Sequence, residues 1–153
     1  LKIMLLEILI WMSAYLVSVL RRNSNYMKKS VITTPNAPSA IGTYSQAIEA
    51  NGLIFTSGQI SIDPQTGDMV KSGCKRQTDQ ILENINAILS ASGVDRSHIL
   101  KLTVFITDLN GFTQVNDSFK EFFGDIEFPA RSTVEVSALP MGALVEIECI
   151  ASL

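Results

Sequence analysis

Hydrophobic and polar positions follow a readable order from residue 27 onward. Ser30–Thr34 is a short β-prone stretch, followed by a turn region with Pro35 and Pro38. Ser45–Ala50 and Leu53–Ser57 flank Asn51-Gly52, the dipeptide that best supplies two positive φ angles in a row. That pattern predicts a type I′ hairpin. Asp63-Pro64-Gln65-Thr66-Gly67 is turn chemistry. The period then becomes helical: Ile81, Leu82, Ile85, Ile88 and Leu89 form one stripe, predicting a helix over Cys74–Ser92 with Gly93 to end it. His98–Thr107 alternates, with Leu100, Leu102, Val104 and Ile106 on one side of a long strand. Asp108 or Asn110 is placed to cap a second helix, where Phe112, Val115, Phe119, Phe122 and Phe123 share a face. Ala130–Val136 and Leu144–Ala151 are the closing strands.

The predicted order is β-β-β-α-β-α-β-β, with no repeat or low-complexity interruption, so residues 27–153 form one α+β domain. Two amphipathic helices can cover only one face of the mixed sheet. Homo-oligomerisation is the economical cover for the other, since a bare apolar sheet would be a large exposed patch.

Residues 1–26 do not share this pattern. Ile3–Leu20 is 18 residues long, and only Glu7, Ser13 and Ser18 in it are not apolar. This run carries much of the mean hydropathy of +0.25. As a helix it would reach about 27 Å, the lower limit for a bilayer core of about 30 Å. Arg21 and Arg22 would then hold the domain in the cytoplasm. Glu7 opposes such an anchor, at a cost on the order of 3 kcal/mol near the membrane centre. No small-x-small cleavage site marks a secretory signal. Met27-Lys28-Lys29 resembles an ordinary start, so the favoured expectation is an upstream translated extension before a cytoplasmic domain. An anchor or an accessory helix is the alternative, and membrane contact is expected only if residues 3–20 are a genuine anchor.

Charge narrows the partners. The chain has 12 basic and 15 acidic residues; setting aside Lys2, Arg21, Arg22 and Glu7 leaves 9 and 14, a formal charge of −5. No basic face is evident, so nucleic acid is not an expected partner. His98 is the one histidine, and Ser57 sits in Thr-Ser-Gly-Gln, which is no nucleophile elbow, so a serine triad is a poor fit. Cys74 and Cys149 are too few for a zinc cage, and Cys149 alternates with Val145 and Ile147 as a buried thiol would. No glycine-rich phosphate loop or dinucleotide fingerprint is present, so no organic cofactor or metal is expected.

A few polar residues in strand-like surroundings remain. Arg131 lies in Phe128-Pro129-Ala130-Arg131-Ser132-Thr133-Val134, and its rigid fork can hold a carboxylate bidentately. An edge-strand arginine could equally pair with Glu146 or Glu148. Those two carboxylates share the side opposite Val145, Ile147 and Cys149. One of them could serve as a base, or both could simply be solvated. Asn116-Asp117-Ser118 matches a glycosylation sequon, which matters only in an exported protein.

Several motifs in order go further. Ala40-Ile41-Gly42-Thr43-Tyr44-Ser45-Gln46-Ala47, Phe55-Thr56-Ser57-Gly58-Gln59-Ile60, Pro129-Ala130-Arg131-Ser132-Thr133-Val134-Glu135-Val136, and Leu139-Pro140 through Glu146-Ile147-Glu148 closely resemble the Rid (YjgF) family. The likeness covers residues 28–153 and none of 1–26. It implies a chorismate-mutase-like α+β protomer and a homotrimer with sites between subunits. The implied activity is hydrolysis of 2-imino acids (tautomers of 2-aminoacrylate and 2-aminocrotonate) to 2-oxo acids and ammonia, without cofactor. Arg131 and Glu146 fall where the 2-iminobutanoate/2-iminopropanoate deaminase branch has them. By that resemblance Arg131 clamps the substrate carboxylate and Glu146 positions or deprotonates water. Tyr44, Ser57, Gly58, Asn116 and Thr133 stand at cleft positions. Thr133 replaces a common cysteine, which excludes thiol chemistry there, and Thr43 replaces a common proline. The same family includes binders of small 2-oxo acids, RNA endonucleases and holdases, which are the alternative readings.

Overall fold

The computed structural model describes Met12, Tyr15 and residues 29–153. Apart from those two residues the run 3–20, and with it the expectations for that run, lies outside the described residues. Among the described residues, no helix is long and apolar enough to cross a membrane.

The elements are β1 (Lys29–Ile32), β2 (Ala47–Ala50), β3 (Leu53–Thr56), α1 (Gly73–Ser90), β4 (Ile99–Ile106), α2 (Phe112–Phe123), β5 (Ala130–Glu135) and β6 (Val145–Ser152). Short 3₁₀ turns lie at Arg96–His98, Leu109–Gly111 and Pro140–Gly142. The order of elements is the predicted one. The six strands form one mixed sheet in the order β1-β2-β3-β6-β4-β5. Only β4 and β5 run parallel, and α2 is the crossover that a parallel pair needs.

Local chemistry explains the turns. Asn51 and Gly52 have φ of 54° and 77°, the two positive angles of the predicted hairpin. In the 63–67 turn, Gly67 N–H donates to Asp63 O at 2.9 Å, and Gln65 N–H donates to Asp63 Oδ1 at 2.8 Å. α1 and α2 pack on a single sheet face, joining Ile81, Ile85 and Val115 to Leu102, Val104 and Ile147 in one core. Between the helix starts, a Cβ on Gly111 would fall 2.5 Å from Cys74 Sγ, so this close approach requires glycine.

Two expectations need correction. Leu100 does not join Leu102, Val104 and Ile106 in the core; it is 49% exposed. A bulge between Ile99 and Lys101 breaks the alternation, so Ile99 is buried instead. Neither Asp108 nor Asn110 caps the second helix directly. Asp108 accepts from Asn110 N–H at 2.9 Å and caps the 3₁₀ turn ahead of it, and Gly111 stands at the helix N-cap.

Register decides which way the polar residues face. Arg131 and Thr133 neighbour Leu102 and Val104 across β4–β5, which places them on the helix side. Glu146 and Glu148 alternate with buried Val145, Ile147 and Cys149, so they lie on the open side with Phe105 and Thr103. Val31, Phe55 and Val134 are exposed on that open side.

Candidate functional site

The residues of interest fall into two concavities. The first, of about 480 Å³, is bounded by Tyr44, Ser57, Gly58 and Glu146, with Gln46 and Gln59 beside them. β3 leads into it, and Gln59 and Ile147 exchange both backbone hydrogen bonds, at 2.8 and 3.0 Å. This pairing sets Gly58 against the adjacent strand β6. A Cβ on Gly58 would fall 2.8 Å from Glu146 Cδ and collide with its Oε1, so the carboxylate rests on the glycine Cα. Burial, and secondarily the charge of Glu148, raises the Glu146 carboxyl above its ordinary pKa. A raised carboxylate is a better proton acceptor at neutral pH than a solvated one.

Ser57 is fixed differently. Its hydroxyl donates to Ser45 O at 2.6 Å, which commits its proton and leaves its lone pairs for an incoming N–H or O–H. Tyr44 is about half exposed, and its hydroxyl accepts from Ile41 N–H at 3.2 Å, keeping its own proton to donate. Gln46 organises the loop between β1 and β2 that carries Tyr44. It is 3% exposed, accepts from Thr34 N–H at 2.7 Å and donates to the carbonyls of Thr34, Ala37 and Pro38. Gln46 lies in the Ala40–Ala47 stretch, where spacing alone gives it no role; a polar residue just before buried Ala47 is the sequence signal for it.

The second concavity, of about 320 Å³, is formed by Asn116, Phe119, Lys120, Phe128, Pro129 and Arg131. Arg131 Nη1 donates to Asn116 Oδ1 at 2.8 Å. Its guanidinium stands 5.1 Å from the centroids of both Phe112 and Phe119. The helix-face aromatics that the periodicity assigns to the core thus also form a seat for the cation. Burial lowers the Arg131 pKa, and the group remains charged. Thr133 lies two residues along on the same face but bounds neither concavity; its Oγ1 is buried without a hydrogen-bond partner among the described residues.

Arg131 does not pair with Glu146 or Glu148, because β5 and β6 present them to opposite faces of the sheet. The structure therefore brings together Tyr44, Ser57, Gly58 and Glu146, and separately Asn116 and Arg131. Of the residues set aside for other chemistry, His98 joins an exposed capping box with Asp95, and Cys149 is a buried thiol pushed up to about 11, chiefly by desolvation.

A two-layer α+β domain with a seated arginine on the helix face and a half-buried carboxylate on the open face is the class defined so far. The family model for Endoribonuclease L-PSP matches residues 34–153, and the chain belongs to this family, also known as the Rid (YjgF) family. It is 52% identical over 123 residues to a RutC family protein of Pyrococcus horikoshii, covering 80% of this chain and 97% of the relative. It is 45% identical over 123 residues to the 2-iminobutanoate/2-iminopropanoate deaminase of Bos taurus, covering 80% and 89%. A crystal structure of a conserved Rid family protein from Yersinia pestis aligns with a TM-score of 0.81 and 57% identity, covering 82% of this chain and 100% of that one.

Proposed function

We propose that this protein hydrolyses 2-imino acids to 2-oxo acids and ammonia, at a site completed by two copies of the chain in a homotrimer. The supporting observation is the seating of Glu146: a carboxylate held on Gly58 in a largely apolar concavity, with its pKa raised, is built as a base. The bovine relative's name points the same way.

The chemistry asks little beyond position. The C=N carbon of an iminium is already electrophilic, so water adds to it while Glu146 takes the water's proton. The tetrahedral product carries both hydroxyl and amino groups. Proton transfer to nitrogen lets the C–N bond break, releasing ammonia and leaving the C=O of the 2-oxo acid. Arg131 of one copy grips the carboxylate and so fixes which face of the carbon meets the water. Ser57, its proton already committed to Ser45 O, accepts from the iminium N–H.

The test follows enzymatically generated 2-aminoacrylate. Added protein should accelerate its loss over buffer, and Arg131→Ala should remove at least about 100-fold of that acceleration. No acceleration at micromolar protein would refute the assignment.

A further inference from the structure

The Glu146 concavity is far larger than a three-carbon acid needs, and its excess is apolar. Its apolar walls are Pro38, Ile41, Ile60, Ile62, Pro140 and Met141, and Ser39, Tyr44, Gln46 and Gln59 join Ser57, Gly58 and Glu146 in the rest of the lining. Three of the nearby polar side chains have their donors already committed. The Gln46 amide is spent on the loop carbonyls, the Gln59 amide donates to Ser57 O and Gly58 O, and the Ser57 hydroxyl donates to Ser45 O. The apolar walls offer a hydroxylated side chain no partner for its hydrogen bonds, and an acidic one would face Glu146. Met141 adds an independent sign. It is 61% exposed and held at φ 56°, ψ 17°, a left-handed conformation that side chains other than Asn, Asp and His rarely adopt. The strained turn holds an apolar side chain at the mouth of the cavity, beside Ile41, which is 76% exposed.

Relying on the deaminase reading for the nature of the acid, we infer that this apolar region is a side-chain pocket selecting 2-imino and 2-oxo acids with a branched aliphatic chain over those with a methyl group. Filling it removes water from walls that a methyl would leave wet.

The test measures equilibrium binding to the full chain, by calorimetry, of pyruvate and 4-methyl-2-oxopentanoate, the stable products from the alanine- and leucine-derived imines. Each added buried carbon is worth roughly fourfold in affinity, so three predict a preference of at least about tenfold for the branched acid. The double variant Ile41→Ser, Met141→Asn should cut that preference below about threefold. Both positions are exposed, and asparagine tolerates the left-handed backbone, so the fold is retained; circular dichroism checks this. Equal affinities in the unmodified protein, or a preference that the double variant leaves unchanged, overturn the inference. Selective binding without imine turnover supports the pocket while refuting the deaminase reading. Turnover without selectivity does the reverse.

Discussion

At Glu146, two effects act on one carboxyl, and their signs can be worked out. Burial, and after it the charge of Glu148, raises its pKa in the folded chain. The folded state then holds a proton that the unfolded chain has already released, so this group's contribution to stability falls as pH rises through that window. Glu146→Gln should therefore stabilise the fold at neutral pH. That advantage should vanish below the ordinary carboxyl pKa, where both states are protonated; thermal melts at the two pH values would show it. Catalysis should move the other way. As a base, Glu146 must be ionised, so kcat/KM should fall on the acid side with an apparent pKa above the ordinary carboxylate value. Glu146→Gln should lose about 100-fold or more of the rate. A variant that gains stability and loses turnover separates a site residue from a packing residue. The sequence singles out Glu146 as a candidate but not its seat on Gly58, because a glycine's need for close approach depends on the neighbouring strand.

Among the elements, the helix pair shows how tightly sequence and packing are joined. α1 and α2 begin beside one another, with Cys74 Sγ against the Gly111 backbone. Gly111 has an ordinary φ of −76°, so the requirement is for space and not for backbone freedom. Gly111→Ala should destabilise the chain by about 1–3 kcal/mol through overpacking, and adding Cys74→Ala should recover most of that. Denaturant titration of the two single variants and the double variant checks the coupling; independent losses would refute the contact. Legibility varied here for definite reasons. The Asn51-Gly52 hairpin is local chemistry, and its positive φ angles follow from the two residues themselves. The Leu100 bulge is invisible in the alternation, because β4 loses phase only where β6 dictates the register. The 3₁₀ turn at Leu109–Gly111 likewise moves the helix start past Asp108, a shift that single-residue capping preferences do not encode.

For the whole molecule, the distribution of site residues carries the most testable consequence. Arg131 and Asn116 lie on the helix side of the sheet, and Glu146, Gly58, Ser57 and Tyr44 bound the other concavity. If one working site takes Arg131 from one copy and Glu146 from another, inactive variants should complement. Co-refolding equal amounts of Arg131→Ala and Glu146→Gln should recover about a quarter of full activity, since random assortment in a closed ring leaves that fraction of sites with both groups intact. No recovery, with mixed oligomers demonstrated by mass, would mean that both groups act within one copy. Val31, Phe55 and Val134 are exposed on the open face, and sedimentation would test whether copies of the chain associate to cover it.

The sequence by itself determined the element order, the hairpin, the core stripe of α1, the acidic balance and the family motifs, including Arg131 and Glu146. These depend on local periodicity, turn chemistry and residue identity, all readable along one chain. Tertiary structure alone decided that Arg131 rests between Phe112, Phe119 and Asn116, and not against a glutamate. It alone decided that Gln46 holds the Tyr44 loop and that an apolar cavity adjoins the carboxylate. Spacing within β5 and β6 says which residues share a strand face. It does not say which faces meet, because the parallel crossover through α2 and the β4–β6 pairing set those faces across dozens of residues.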